Sequence, residues 1–291
     1  MSAPFRLGYN TNGLSFHRLE EALVLVEEAG FEAVAITPDV GALDPMRPNV
    51  GEIDGTRALL DDLGLEATIE TGARFVLDPR AKHRPNLMDE SAVARERRVD
   101  FYRRCVDLAA DLDARVVSLW AGAAPEGTDG TLDEQPDHSL GDRLAEGLAS
   151  VLGHARGAGV RIAFEPEPGM FVERPVGFAA LVERMGHAGR DLGMTLDLGH
   201  CAVTSDLPVR SVVERFADRL IHVHVADCPA GVHEHRPLGE GDLDLVEAMG
   251  ALVDVGFDGV AAVELSRDGH RGPEALVASF EALTRALTGA R

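Results

Sequence analysis

Four short segments in the C-terminal half of the chain end in residues that could hold a cation or move a proton. They are Phe164-Glu165-Pro166-Glu167-Pro168, Thr195-Leu196-Asp197-Leu198-Gly199-His200, Ile221-His222-Val223-His224-Val225-Ala226-Asp227 and Val263-Glu264-Leu265-Ser266. In each, a carboxylate or imidazole follows an apolar run, where desolvation is costly unless something neutralises it. Three carboxylates (Glu165, Asp197 and Glu264) brought to one opening would repel each other, and a divalent cation removes that cost. With His224 they make three oxygen donors and one imidazole. That set suits Mn²⁺, Mg²⁺ or Co²⁺ better than a thiolate-rich zinc site, with Zn²⁺ a further candidate. His222 and His224 share parity along their segment but differ in depth, so one of them is expected to be a core histidine.

These residues need elements that bring them together. Short apolar runs alternate with amphipathic helical stretches from end to end. The strand candidates are Phe5–Tyr9, Ala33–Thr37, Glu66–Thr71, Val116–Trp120, Arg161–Phe164, Gly193–Asp197, Leu220–Val225 and Gly259–Glu264. Helical patterns fall between them at His17–Glu28, Gly51–Leu63, Ala92–Leu112, Leu140–Ala158, Val176–His187, Val209–Phe216, Leu243–Val255 and Pro273–Leu287. The first and last units share a Gly-containing turn, Ala29-Gly30-Phe31-Glu32 and Val255-Gly256-Phe257-Asp258, as expected of a repeated βα element closing on itself. No linker or composition break interrupts the series. The expectation is one α/β domain over residues 1–291, a single (β/α)₈ TIM barrel, with its active site at the C-terminal ends of the strands. A doubly wound sheet would place a Gly-rich phosphate loop after the first strand, and Gly8-Tyr9-Asn10-Thr11-Asn12-Gly13 fails that pattern.

Bulk properties narrow the function classes. The 291 residues are 45% hydrophobic, enough for one large core, and no run approaches the roughly 18 apolar residues of a membrane span. The N-terminus carries no basic region followed by an apolar stretch, so a cytoplasmic, membrane-free protein is expected. A formal charge of −21 repels phosphate backbones and argues against a nucleic-acid partner. Cys105, Cys201 and Cys228 are far apart and form no CxxC pair, which indicates neither a disulfide framework nor a zinc knuckle. The sole lysine, Lys82, lies in the most basic stretch, Arg74 to Pro85, where Arg74, Arg80, Lys82, His83 and Arg84 could hold an anion or simply balance nearby acids.

Taken together, Glu165-Pro166-x-Pro168, Asp197-x-x-His200, His222-x-His224-x-x-Asp227, Gly239-Glu240-Gly241-Asp242 and Val263-Glu264 resemble the xylose-isomerase-like barrels of the sugar isomerase/epimerase superfamily. That superfamily includes ketose 3-epimerases, hydroxypyruvate isomerase, inosose dehydratase and endonuclease IV. The resemblance spans nearly the whole chain. It implies that Glu165, Asp197, His224 and Glu264 bind the metal, with Glu167 as the alternative to Glu165. It implies further that Glu165 and Glu264 exchange the substrate proton, that His200 contacts the carbonyl region and that Arg236 meets a substrate hydroxyl.

The implied chemistry is proton abstraction beside a carbonyl through an enediolate. Epimerisation needs acid/base groups on both faces of the substrate, whereas isomerisation can use one. Asn10, Lys82 and Trp120 are added as substrate contacts from strand ends and loops, together with Asn12, Thr37, Asp39, Glu70 and Arg74. His233, His235 and Arg236 are expected to cover the pocket. The expected partner is a small sugar or polyol, and the resemblance adds a homo-oligomer. Competing readings are a metal-dependent dehydratase or lyase on a cyclitol or sugar derivative, an endonuclease IV-type nuclease, a Schiff-base aldolase on Lys82 and a non-catalytic binding barrel.

Overall fold

The computed structural model of the chain describes residues 4–128, 130–135 and 139–290. Its eight parallel strands are β1 (Arg6–Asn10), β2 (Ala33–Ile36), β3 (Glu66–Glu70), β4 (Val116–Trp120), β5 (Arg161–Glu165), β6 (Leu192–Asp197), β7 (Leu220–Val225) and β8 (Val260–Val263). They close in chain order, with β1 pairing both β2 and β8, so the fold is a single (β/α)₈ barrel. The strands are apolar on both faces because side chains point alternately into the barrel and toward the helices. β2, β4, β6 and β8 are buried along their whole length.

The helices are α1 (Leu19–Glu28), α2 (Val50–Leu63), α3 (Ala92–Asp111), α4 (Leu140–Ala158), α5 (Pro175–Met185), α6 (Leu198–Val203), α7 (Val209–Phe216), α8 (Leu245–Asp254) and α9 (Gly272–Gly289). α4 shows why they form: Leu140, Leu144, Leu148, Val151, Leu152 and Ala155 recur at helical spacing and are buried, and Gly159 at φ 73° ends the helix. A leucine taken from water as completely as Leu144 contributes roughly 1.5–3 kcal/mol.

The chain divides into two compact units, with boundaries at the end of β2 and inside α2, β3 and β6. One unit holds β1, β2, β7, β8, α1 and α6–α9. Inside it, Ala33, Ala35, Val260 and Ala262 pack together as buried small residues. The second holds β4, β5 and α3–α5. There Phe164 stacks on Phe178 with centroids 6.2 Å apart, fixing α5 against β5.

The strand expectations fall within a residue or so of the observed elements. Two helical differences have local causes. α5 stops at Met185 because Gly186 takes φ 55°, and a 3₁₀ turn over Ala188–Asp191 follows. α6 escapes periodicity because five of its six residues are buried, so it shows no polar face. Among the described residues, no helix is long and apolar enough to cross a membrane.

Gly30 and Gly256 hold the same place after α1 and α8. Each N–H donates to a carbonyl three residues back (Glu27 and Val253), and each next residue closes the turn (Phe31 to Val26, Phe257 to Leu252). Their surroundings differ. A Cβ at Gly30 would meet the Phe280 ring at 2.7 Å, whereas one at Gly256 meets nothing within 4 Å. Gly256→Ala should therefore cost only the left-handed backbone, about 1 kcal/mol. Gly30→Ala should cost about 1–3 kcal/mol more through overpacking. Urea unfolding of both variants checks the order.

Candidate active site

Strand register sets which residues face the barrel interior. His222 pairs with Val260 and His224 with Ala262, so both imidazoles share the face of the buried small-residue cluster. Glu264 continues that face two residues beyond Ala262. On β5, Glu165 pairs with Trp120 of β4 and Ala163 with Ser118, so glutamate and indole emerge side by side at the strand ends.

The acidic groups are held tightly. The Asp197 side chain is fully buried, and its Oδ1 accepts the His200 N–H at 3.0 Å, capping α6. Its Oδ2 has no hydrogen-bond partner among the described residues and lies 3.8 Å from Nε2 of both His200 and His235. Glu264 Oε1 accepts from Asn12 Nδ2 at 2.8 Å, and Oε2 stands 3.3 Å from His224 Nδ1. Ligand atoms of Asp197, His224 and Glu264 all lie within 4.8 Å of one another. Glu165, at the end of β5, is 5% exposed. Glu167 sits in the following turn, its N–H donating to Val172 and its carbonyl accepting from Met170. A buried carboxylate oxygen without a donor is expensive, and a cation removes that expense; the donor set fits one.

A further group could hold a cation: His200 with His233 and His235. There His200 Nε2 lies 3.0 Å from His233 Nε2 and 3.1 Å from His235 Nε2. The Glu264 carbonyl accepts from His235 Nδ1 at 3.0 Å, so in the neutral ring Nε2 presents a lone pair. Burial, then His235, holds the His200 pKa well below the ordinary imidazole value, and burial lowers His233 as well. Burial thus favours the uncharged ring at His200 and His233.

Asp227 builds the loop that delivers His233 and His235. Its carboxylate accepts from the N–H groups of Gly239 (2.8 Å) and Leu243 (3.0 Å), while its backbone bridges Arg236 in both directions. A side chain at Gly241 would collide with that carboxylate. The Gly239-Glu240-Gly241-Asp242 signature is therefore a requirement of loop geometry.

The other expected contacts fare differently. Buried Asn10 caps a 3₁₀ turn over Thr11–Leu14 through its Oδ1, and its neighbour Asn12 is the one that touches Glu264. Arg236 is ion-paired to Glu234 at 3.0 Å. Lys82 is exposed and Arg84 pairs with Asp89 at 3.6 Å. Trp120 is 8% exposed, with the His83 ring edge-on to it at a centroid distance of 4.9 Å. Cys201 and Cys228 are buried thiols whose pKa is raised by burial, in line with a packing role.

Burial, reinforced by Lys82, pushes the His83 pKa from 6.5 down to about 4. The unfolded chain therefore binds a proton between pH 6.5 and 4 that the folded chain resists. Stability from this group is whole above pH 6.5 and falls as the pH drops through that window. Thermal unfolding across this range should show a shallower acid loss in His83→Phe than in the parent.

The family model for the xylose isomerase-like TIM barrel matches residues 23–286. Fructoselysine 3-epimerase of Shigella flexneri is 26% identical over 184 residues, 62% of this chain and 63% of that one. L-ribulose-5-phosphate 3-epimerase UlaE of Shigella flexneri serotype 5b (strain 8401) is 24% identical over 262 residues, covering 88% and 85%. The first two curated relatives are matched over only 56% and 63% of their own lengths. A solved L-ribulose 3-epimerase superposes with a TM-score of 0.77 at 18% identity, covering 99% of this chain and 96% of that one. The chain belongs to the xylose-isomerase-like TIM barrel family, and the named relatives it resembles are sugar epimerases.

Proposed function

We propose that this protein is a divalent-metal-dependent epimerase or isomerase of a polyhydroxy ketone, working by proton transfer at the carbon next to the carbonyl. The observation that carries this reading is the convergence of Asp197, His224 and Glu264, with an Asp197 oxygen buried and lacking a donor. With Glu165 they would hold Mn²⁺, Mg²⁺ or Co²⁺, with Zn²⁺ a further candidate. When bound, the cation supplies Lewis-acid polarisation of the carbonyl and offsets the charge of the enediolate.

The chain's own groups divide the remaining work. Asp197 is fully enclosed and fixed by the His200 amide, which suits it to holding rather than transferring. The Glu264 side chain keeps 17% exposure and is aimed by Asn12 and His224, so it can reach a substrate C–H. Glu165, rigid at the end of β5, is the second proton-transfer carboxylate. One removes the proton and the other returns it on the opposite face. His200, buried at the start of α6, would contact the carbonyl region of the substrate. The Trp120 indole offers an apolar wall beside Glu165 for a sugar face. Asn10, Lys82 and Arg236 act at the periphery, through loop shape and charge.

Glu165→Gln and Glu264→Gln should each lower turnover of a ketose by about 10²–10⁴-fold while circular dichroism and unfolding midpoint stay near the parent's. Either variant retaining full activity would sink the proton-transfer assignment. Dialysis against a chelator should remove activity and lower the melting temperature, and both should return on adding Mn²⁺. Elemental analysis showing no bound divalent metal in active protein would overturn the metal requirement.

A further inference from the structure

A buried arginine is committed to one loop outside the acidic group. Arg98 of α3 is 2% exposed, a costly place for a guanidinium unless its donors are used. Its Nη2 donates to the His83 carbonyl and its Nε to the Pro85 carbonyl, both at 2.7 Å. The guanidinium also lies 5.1 Å from the Phe101 ring centroid and 5.3 Å from that of Tyr102. Tyr102 in turn donates its hydroxyl to the Trp120 carbonyl at 3.2 Å. One buried set therefore fixes the backbones of both His83 and Trp120.

The residue so held is strained. His83 takes φ 61°, a left-handed conformation that costs a side-chain-bearing residue about 1–2 kcal/mol. Strain of this kind persists only where surrounding contacts over-determine it, and it concentrates at functional positions. Here the contacts are the Arg98 clamp, an amide bond from His83 N–H to the Arg74 carbonyl at 2.7 Å, and the ring itself. The Ala73 carbonyl, an acceptor only, lies 3.2 Å from Nδ1, so Nδ1 carries the hydrogen. The ring meets Trp120 at an interplanar angle of 89°. Nε2 has no protein partner among the described residues, and it is not a sealed atom. Trp120 is in register with Glu165, which places this acceptor at the mouth of β4 and β5.

We propose that His83 is a substrate-contact residue whose Nε2 lone pair accepts a hydrogen bond from a sugar hydroxyl seated against Trp120, away from the reacting carbons. An imidazole lone pair repels an unprotonated phosphate or carboxylate oxygen, so the group read at this place is a hydroxyl. Arg98 is a positioning residue that acts through His83. This assignment rests on the reading of the site as one that handles ketoses.

Trp120 is the sole tryptophan, so its emission reports occupancy without turnover. The Mn²⁺-loaded protein is titrated with D-tagatose, D-allulose and L-ribulose. The parent should show a saturable change with at least one of them. His83→Phe, which keeps a ring but loses the acceptor, should bind that sugar about tenfold more weakly, as loss of one neutral hydrogen bond requires. His83→Gln should recover part of the loss. Among singly deoxygenated forms of the sugar, one should bind parent and His83→Phe alike within twofold. His83→Gly, which tolerates the left-handed backbone and has no side-chain acceptor, repeats the loss if His83→Phe melts early.

Equal affinity of parent and both acceptor-deficient variants overturns the contact. So does uniform weakening across every deoxygenated sugar, or no emission change in the parent. Turnover is scored separately from binding. His83-dependent binding without metal-dependent epimerisation leaves this contact standing and removes the epimerase reading; epimerisation indifferent to His83 does the reverse.

Discussion

The structure turns on carboxylates placed where water cannot solvate them. Asp197 is enclosed, with one oxygen engaged by the amide of the helix it caps and the other lacking a donor. His200 does not neutralise it, because its own burial favours the uncharged ring. Such an arrangement is tolerable when a cation completes it. Glu264 is aimed by an asparagine and a histidine, while His224 comes in on a strand whose other interior positions are apolar or imidazole.

Carboxylates also shape the backbone around this centre. Asp197 starts α6, and so sets where His200 stands. Asp227 gathers two amides from the loop after β7, which fixes the turn carrying His233 and His235 back toward His200. A motif that resembles a functional signature, Gly239-Glu240-Gly241-Asp242, is thereby explained by steric need: the Asp227 carboxylate occupies the space a side chain at Gly241 would fill. The arginines show a parallel division. Arg98 is buried and shapes a loop, whereas Arg236 is tied to Glu234 in a half-exposed pair of small energetic worth.

Much of this was legible before any coordinates. Alternation of β-rich runs with amphipathic helices specifies the barrel because each βα unit carries its own periodicity and its own glycine stop. The positions of Glu165, Asp197, His224 and Glu264 at strand ends follow from the strand boundaries, since parity along a strand decides which face a residue takes. α6 was not legible, because a helix buried all round has no polar stripe to reveal it.

Sequence by itself determined the elements, their order and which polar residues stand at their ends, because these depend on local periodicity and chain direction. Only the tertiary structure decided which of those residues meet. It gives Asn12 rather than Asn10 the contact to Glu264, and draws His233 and His235 from a loop onto His200. It also turns a basic stretch into a single clamped histidine beside Trp120. These outcomes hinge on turns closed by backbone hydrogen bonds and on partners distant in the chain, as with Asn12 and Glu264 or Asp227 and Leu243, and no local pattern encodes them.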